Sequence, residues 1–342
     1  MPEGHTVHRL ARTFSSLFAG QTLRVSSPQG RFADGAGVLD GRRLVASEAW
    51  GKQLFLGFAS DGAPADVSGA ASGSAGTADV LWLRTHLGLY GAWTFAGAPD
   101  APEVAHAIGA PRRRIGERDS VPAPSGPDVV PTAAAPSDAW AAPEPRGQVR
   151  VRLLGAHAVA DLTGPTACEV ITADEKKAVE TRLGPDPIRD DGDPDPFVAA
   201  VGRSRVTIGQ QLMDQAVVAG VGNIYRAEAL FRAGVDPLRA GRDVPAATVR
   251  AIWDDLVVLM RDGADHGAIV TTRPEDRGAG PVLAPDRGRT RQNTDGSPGA
   301  VPSDQAFYVY HRDGLPCRVC GSPVLVKELA GRNLFWCGVC QT

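Results

Sequence analysis

The chain has 342 residues, 43% of them hydrophobic, and a formal net charge of −3. That length allows roughly two or three domains with a buried core. No run is apolar enough to span a bilayer and none near the start has the shape of a secretory signal, so a cytoplasmic protein with no membrane attachment is expected. The overall charge gives no sign of a polyanionic partner, and any basic surface has to be local.

Residues 5 to 17 place Val7, Leu10, Ala11, Phe14 and Leu17 on one face at helical spacing, which predicts a helix. Strand-like runs follow at Leu44-Val45, at Leu54, Leu56 and Phe58, from Val80 to Phe95, and at Val149, Val151 and Leu153. Separated by glycine-rich breaks, they predict half-buried strands in an antiparallel sandwich or barrel. From about residue 174 the period turns helical. The candidates are Lys176 to Leu183, Phe197 to Val201, Thr207 to Asp214, Asn223 to Ala233 with Gly234 as its stop, and Pro245 to Arg261. Residues 306 to 342 return to short strands. Three stretches, 61–78, 116–147 and 274–303, are rich in small and polar residues and read as disordered inserts. The acidic run from Asp186 to Asp195 reads the same way.

Four of the five cysteines form Cys317-x2-Cys320-x16-Cys337-x2-Cys340. Two CxxC turns present four thiolates to one tetrahedral Zn2+, and a site filled entirely by protein is structural. Cys168 stands alone and reads as a small buried apolar residue. Between the pairs, Val324-Leu325-Val326 and Leu334-Phe335-Trp336 flank Ala330-Gly331-Arg332-Asn333, which predicts a β-hairpin with Arg332 at or near its tip. A guanidinium there suits a phosphate; a solvated turn arginine is the plain alternative.

In residues 210–231, QQLMDQAVVAGVGNIYRAEALF, two helices meet through a glycine-containing turn. Exposed amides at Gly222-Asn223, with Asn223 adding a side-chain donor, would make an anion site; an ordinary helix cap is the alternative. At the N-terminus, removal of Met1 leaves Pro2 as a secondary amine beside Glu3. Such an amine is partly unprotonated near neutrality and attacks an aldehyde-level carbon, and a neighbouring carboxyl can protonate the leaving group. Taken alone, Pro-Glu after Met carries no meaning.

The succession of MPEG, GKQLFL, THLGLYG, DQAVVAGVGNIYRAEALF and a terminal four-cysteine ribbon resembles the family of formamidopyrimidine-DNA glycosylase and endonuclease VIII. The resemblance covers most of the chain apart from the three inserts. It implies an α+β protein: an N-terminal antiparallel β-sandwich over 1–173, a helix-two-turns-helix DNA-binding domain over 174–303, and a zinc-ribbon hairpin over 304–342. It further implies a monomer holding damaged DNA in the cleft between domains. By resemblance Pro2 is the Schiff-base nucleophile, Glu3 the general acid and Lys52 the catalytic lysine that contacts phosphate. Asn223 and Arg332 resemble the phosphate grip, with Gly222 beside them as a further DNA-binding residue, and Leu89 and Tyr90 resemble the wedge filling the gap left by a flipped nucleotide. For Leu89 and Tyr90 a place within a sheet is the alternative.

Purine-type members carry an Arg-Arg-Phe-Gly-like loop late in the sandwich, and the corresponding stretch here, AVADLTGPTACEV, has none. HLGLYGAW instead resembles the endonuclease VIII pattern, and MPEGHTVHRLA, IVTTRPE and YVYHRDGLPCRVCG resemble its second actinobacterial type. Oxidised pyrimidines are thus the expected substrates, removed by a glycosylase and AP lyase through β- and δ-elimination. An oxidised-purine glycosylase and a non-enzymatic lesion-binding protein of the same fold are the alternatives. His5 and Thr6 depart from the family's Pro and second Glu, so that carboxylate's role does not transfer.

Overall fold

The computed structural model describes residues 2–60, 80–99, 101–102, 107–109, 140–277, 301–302 and 304–342. The expected insert 61–78 lies outside the described residues, as do most of 116–147 and of 274–303. Of the latter two, 140–147 runs without regular structure, and Pro274–Asp276 forms a single 3-10 turn.

The chain opens with helix α1 (Gly4–Phe18), strand β1 (Arg24–Ser26) and helix α2 (Ala33–Leu39). Strands β2 (Arg43–Trp50), β3 (Gln53–Ala59), β4 (Val80–His86), β5 (Ala92–Gly97), β6 (Ala107–Gly109), β7 (Val149–Leu154), β8 (Ala158–Thr163) and β9 (Ala167–Ile171) complete the first half. Among the described residues they form two antiparallel sheets, ordered β1-β7-β8-β5-β6 and β2-β3-β4-β9. The apolar stripe of α1 is the wedge between them: Phe14 meets Trp93 edge-on at 4.8 Å, in one core with Leu54, Leu56 and Leu162.

Strand β3 is buried on both faces rather than half-buried. Its outer face, with Phe55 beside Trp82, is covered by helix α3 (Ala173–Glu180), whose Lys176 ammonium lies 4.5 Å from the Trp82 ring centre and 2.8 Å from Glu48. The α3 helix starts three residues before Lys176 because Thr172 and Glu175 form a capping box. Cys168, on β9, packs against the sandwich core, and burial pushes its thiol up to about 12, as suits an inert apolar residue.

The second half holds α4 (Pro194–Arg203), α5 (Ile208–Gln211), α6 (Asn223–Arg232) and α7 (Ala246–His266). The expected helix over 207–214 shrinks to the four residues of α5. The α7 helix runs past Arg261 to Gly267, whose left-handed backbone (φ +74) ends it. The α6 helix lies within the bundle, and its other side carries Phe231 against Tyr308 and the final hairpin, β10 (Leu325–Leu329) and β11 (Arg332–Trp336). The acidic run expected to be disordered is ordered. Asp186 is buried, Arg189 pairs with Asp191, and Asp193 caps α4.

Candidate active site

The turn between α5 and α6 is braced from inside by Gln215. Its amide oxygen accepts from Gly220 N at 3.0 Å, and its amide nitrogen donates to Val221 O at 3.0 Å. Gly220 takes φ +90, a left-handed conformation that favours glycine. Its carbonyl accepts from Gly4 N at 2.8 Å, and the Val221 carbonyl accepts from the Lys52 ammonium at 2.8 Å. The β2–β3 turn and the chain start are thus fixed to one short loop of the helical domain.

Pro2 is buried directly before Glu3, and the Glu3 side chain is fully buried. Its carboxylate accepts from Gly222 N and Ile224 N, both at 2.8 Å, and from Tyr225 N at 3.4 Å. These amides open α6, where no helical partner is available and the helix dipole favours an anion. The anion expected at Gly222 was a phosphate. The structure corrects this: the turn holds the chain's own Glu3, and the Gly222 amide is committed to it. A Cβ on Gly222 would lie 2.4 Å from Glu3 Cδ, so only glycine allows the approach.

Burial pushes the Glu3 carboxyl above the usual carboxylate range, against the pull of Lys52 and of the Ile224 and Tyr225 amides. Burial also lowers the Lys52 ammonium, with Glu3 opposing and Arg332 adding to the fall. Both shifts bring proton exchange closer to neutral pH, which general acid and base chemistry needs. His5, on the first turn of α1, packs edge-on to Tyr225 at 5.4 Å, and burial lowers its pKa to about 3. It is neutral and does not replace a carboxylate.

Asp186 holds the Lys52 turn from beneath. Its Oδ2 accepts from Gly51 N at 2.7 Å and from His8 Nε2 at 2.8 Å, and its Oδ1 accepts from Ile188 N at 3.1 Å. Gly51 lies against Ala219 and Gly220, where a Cβ would come within 2.9 Å of the Ala219 methyl.

Asn223 is buried at the first position of α6. Its Nδ2 donates to the Asn333 carbonyl of β11 at 3.0 Å, its Oδ1 accepts from Arg226, and it hydrogen-bonds Tyr310. Burial pushes the Tyr310 hydroxyl up to about 12. Arg332 is exposed at the hairpin tip, paired with Leu329 across the Ala330-Gly331 turn. Its charge is felt by both Lys52 and Arg226. Lys52, Arg226 and Arg332 therefore gather positive charge beside Glu3, the local basic surface that the net charge conceals.

Leu89 and Tyr90 lie in the turn between β4 and β5, 45% and 57% exposed, so they are not sheet residues. Thr166 supports this turn: its amide donates to His86 O at 2.9 Å, and its hydroxyl occupies the space a Cβ on Gly88 would need. His86 accepts from Gly88 N through Nδ1 at 3.1 Å, which leaves Nε2 as the protonated nitrogen. Burial lowers its pKa, and Lys52 and Arg84 lower it further. His86, Asp186, Arg226 and Tyr310 were not among the expected site residues. His86 and Arg226 stand inside the THLGLYG and GVGNIYRAEALF segments, and an arginine one turn after Asn223 on a buried helix is itself a signal.

Cys317, Cys320, Cys337 and Cys340 bring their sulfurs within 4.8 Å of one another. The Cys317–Cys340 and Cys320–Cys337 separations are 3.9 and 3.5 Å. A tetrahedron with Zn–S near 2.3 Å has S···S edges of about 3.8 Å, so the four thiols fit one zinc ion. Beneath the site Phe335 and Val324 pack on Phe231 of α6. This packing seats the hairpin carrying Arg332 against the helix carrying Asn223, and a zinc ion on the four thiols would fix the ribbon beside it.

Three family models match the chain. They are the formamidopyrimidine-DNA glycosylase N-terminal domain over residues 1–113, the H2TH domain of the same enzymes over 183–274, and the zinc finger found in FPG and IleRS over 314–342. Lactococcus lactis Fpg in complex with abasic-site DNA shares the fold at a TM-score of 0.63 and 18% identity, covering 99% of each chain. Fold and site together define a DNA glycosylase and AP lyase with a helix-two-turns-helix domain and one structural Zn2+ per chain. Endonuclease 8 1 of Mycobacterium tuberculosis and of Mycobacterium bovis are each 42% identical to this chain over 342 residues, the full length of both. A formamidopyrimidine-DNA glycosylase of Ruegeria pomeroyi is 36% identical over 172 residues, half of this chain and 54% of that one. The chain belongs to the formamidopyrimidine-DNA glycosylase and endonuclease VIII family. The full-length relatives bear the number one in their names, and the expected likeness to a second type finds no support in them. Among the described residues no helix is long and apolar enough to cross a membrane.

Proposed function

We propose that the chain removes oxidised pyrimidines from DNA and then cuts the strand, with Pro2 as nucleophile. The observation that carries this reading is the Glu3 carboxylate, buried next to Pro2 and held by three amides of the α6 start with Lys52 close by. With Met1 removed, the Pro2 amine attacks C1′, the glycosidic bond breaks, and the base departs with a proton. Glu3, its carboxyl raised by burial, protonates O4′ as the sugar opens to the iminium. Loss of a C2′ proton then expels the 3′ phosphate, a second elimination expels the 5′ phosphate, and water releases Pro2.

Lys52, Asn223, Arg332 and the Nε2–H of His86 are donors suited to the phosphates flanking the lesion. Leu89 and Tyr90 are exposed apolar side chains suited to the vacated stack. A pyrimidine substrate is favoured by the β8–β9 turn, Gly164-Pro165-Thr166, which carries no Arg or Phe to reach an opposite base, and by the name of the full-length relatives. We place the domain boundaries at 173/174 and 303/304, in the gaps between the spans of the three matching models.

The test is borohydride trapping on abasic-site and thymine-glycol duplexes. A covalent adduct is expected from the wild type and none from Pro2→Gly, with Glu3→Gln strongly reduced. A formamidopyrimidine duplex excised faster than thymine glycol would overturn the pyrimidine assignment, and no adduct with any lesion would overturn the chemistry.

A further inference from the structure

Arg226 is buried and makes no ion-pair contact with a carboxylate among the described residues, although it feels the charge of Glu3. The groups that it touches are neutral oxygens. It lies one helical turn after Asn223, and the same nitrogen, Nη2, donates to Asn223 Oδ1 and, at 3.1 Å, to the Asn333 carbonyl; Nη1 reaches Gly209 O at 3.5 Å. A guanidinium has donors only. The Asn223 atom facing it must be the oxygen, and the NH2 group is therefore turned to the Asn333 carbonyl of the hairpin. The Asn333 carbonyl in turn accepts twice, from Arg226 and from Asn223 Nδ2 at 3.0 Å. If the Asn223 amide leaves for a phosphate oxygen, the carbonyl keeps a partner and the hairpin stays seated.

We propose that Arg226 is a positioning residue that sets the donor face of Asn223 toward DNA and holds the Arg332 hairpin in place while Asn223 exchanges Asn333 for a phosphate. This rests on the reading of Asn223 as a phosphate contact. Without the guanidinium the Asn223 amide can turn over, presenting its oxygen to an anion, and the grip is lost although Asn223 is still there.

The test compares full-length, zinc-loaded wild type, Arg226→Met, Asn223→Ala and the double variant. Equilibrium binding is measured on a duplex carrying a tetrahydrofuran abasic analogue, and steady-state cleavage on an abasic site. Each single variant is expected to weaken binding about tenfold, and the double no more than about twice the larger single loss, since one interaction has been removed twice. The cleavage defect should fall in KM, with kcat changed less than about threefold. Arg226→Lys keeps the charge, but its side chain is one atom shorter and stops short of the position from which Nη2 serves both acceptors. It should recover most of the melting temperature while binding DNA as weakly as Arg226→Met, a separation that a purely structural role would not produce. Losses that multiply in the double variant, or wild-type affinity in either Arg226 variant, would overturn the proposal. If Arg226→Met does not fold, Arg226→Lys takes its place in the cycle with the same criteria. Failure of the glycosylase reading is distinguishable, because it shows as a wild type that forms no borohydride adduct, whereas the binding cycle uses an uncleavable analogue.

Discussion

Glu3 and Gly222 meet where a Cβ has no room: the Gly222 amide donates to the Glu3 carboxylate at 2.8 Å, with the rest of that carboxyl resting against the glycine backbone. Gly222→Ala should therefore displace the acid rather than merely stiffen a turn. The expected cost is on the order of 2–4 kcal/mol of stability from the disturbed buried carboxylate. Trapped adduct should fall by at least about tenfold on abasic-site DNA, the scale of a lost general acid. Thermal melting and borohydride trapping read the two effects separately. Normal trapping in a destabilised variant would show that Glu3 placement is not limiting.

Zinc removal should act on the DNA grip before it acts on the sandwich. The ribbon packs on Phe231 and Tyr308 in a cluster separate from the α1 core. Chelation is expected to expose Arg318, Lys327 and Arg332 to trypsin first and to weaken abasic-DNA binding at least about tenfold, reversibly on adding zinc. Simultaneous digestion of residues 4–59 would contradict this order.

His5 should give the fold a defined acid sensitivity. Burial depresses its pKa to about 3 from the 6.5 of a free histidine. The neutral ring's contribution is complete above pH 6.5 and is lost as pH falls toward 3, because the unfolded chain takes up the proton first. Between pH 7.5 and pH 5 this one group should lower unfolding stability by about 2 kcal/mol. Urea unfolding of wild type and His5→Gln at the two pH values measures the difference, and an equal pH dependence in both would refute it.

Leu89→Ala with Tyr90→Ala removes two exposed apolar side chains while leaving the Thr166 support of their turn intact. Little change in melting temperature is expected, within about 0.5 kcal/mol. Excision of thymine glycol should fall more in duplex than in single-stranded DNA, since only the duplex has a stack to refill. Equal loss on both substrates would mean that these residues act elsewhere than in the stack.

What the sequence made legible was local. Four cysteines at fixed spacing define their metal, and the periods of α1, α6 and α7 show in any window of a few turns. Strands β8 and β9 escaped because AVADLT and ACEVI are short and contain small residues that pack well without standing out by composition. Asp186 escaped for a different reason. Its neighbours are acidic and polar, while the groups that bury it come from His8 and Gly51, 178 and 135 residues away. The α6 turn lay between these cases. Its affinity for an anion was legible from glycines and helix geometry, but not that the anion would come from residue 3.

The tie between Glu3 and α6 also has a history in time. The partners are 219 residues apart in the chain, so the carboxylate leaves the ribosome among the first residues and the Gly222 amide follows on the order of ten to forty seconds later at typical elongation rates. Throughout that interval the Glu3 carboxylate lacks the α6 amides that hold it in the finished protein. A nascent or truncated N-terminal half therefore carries Pro2 and Glu3 without the amides that hold the carboxylate, and the assembled site arrives only with a nearly finished protein.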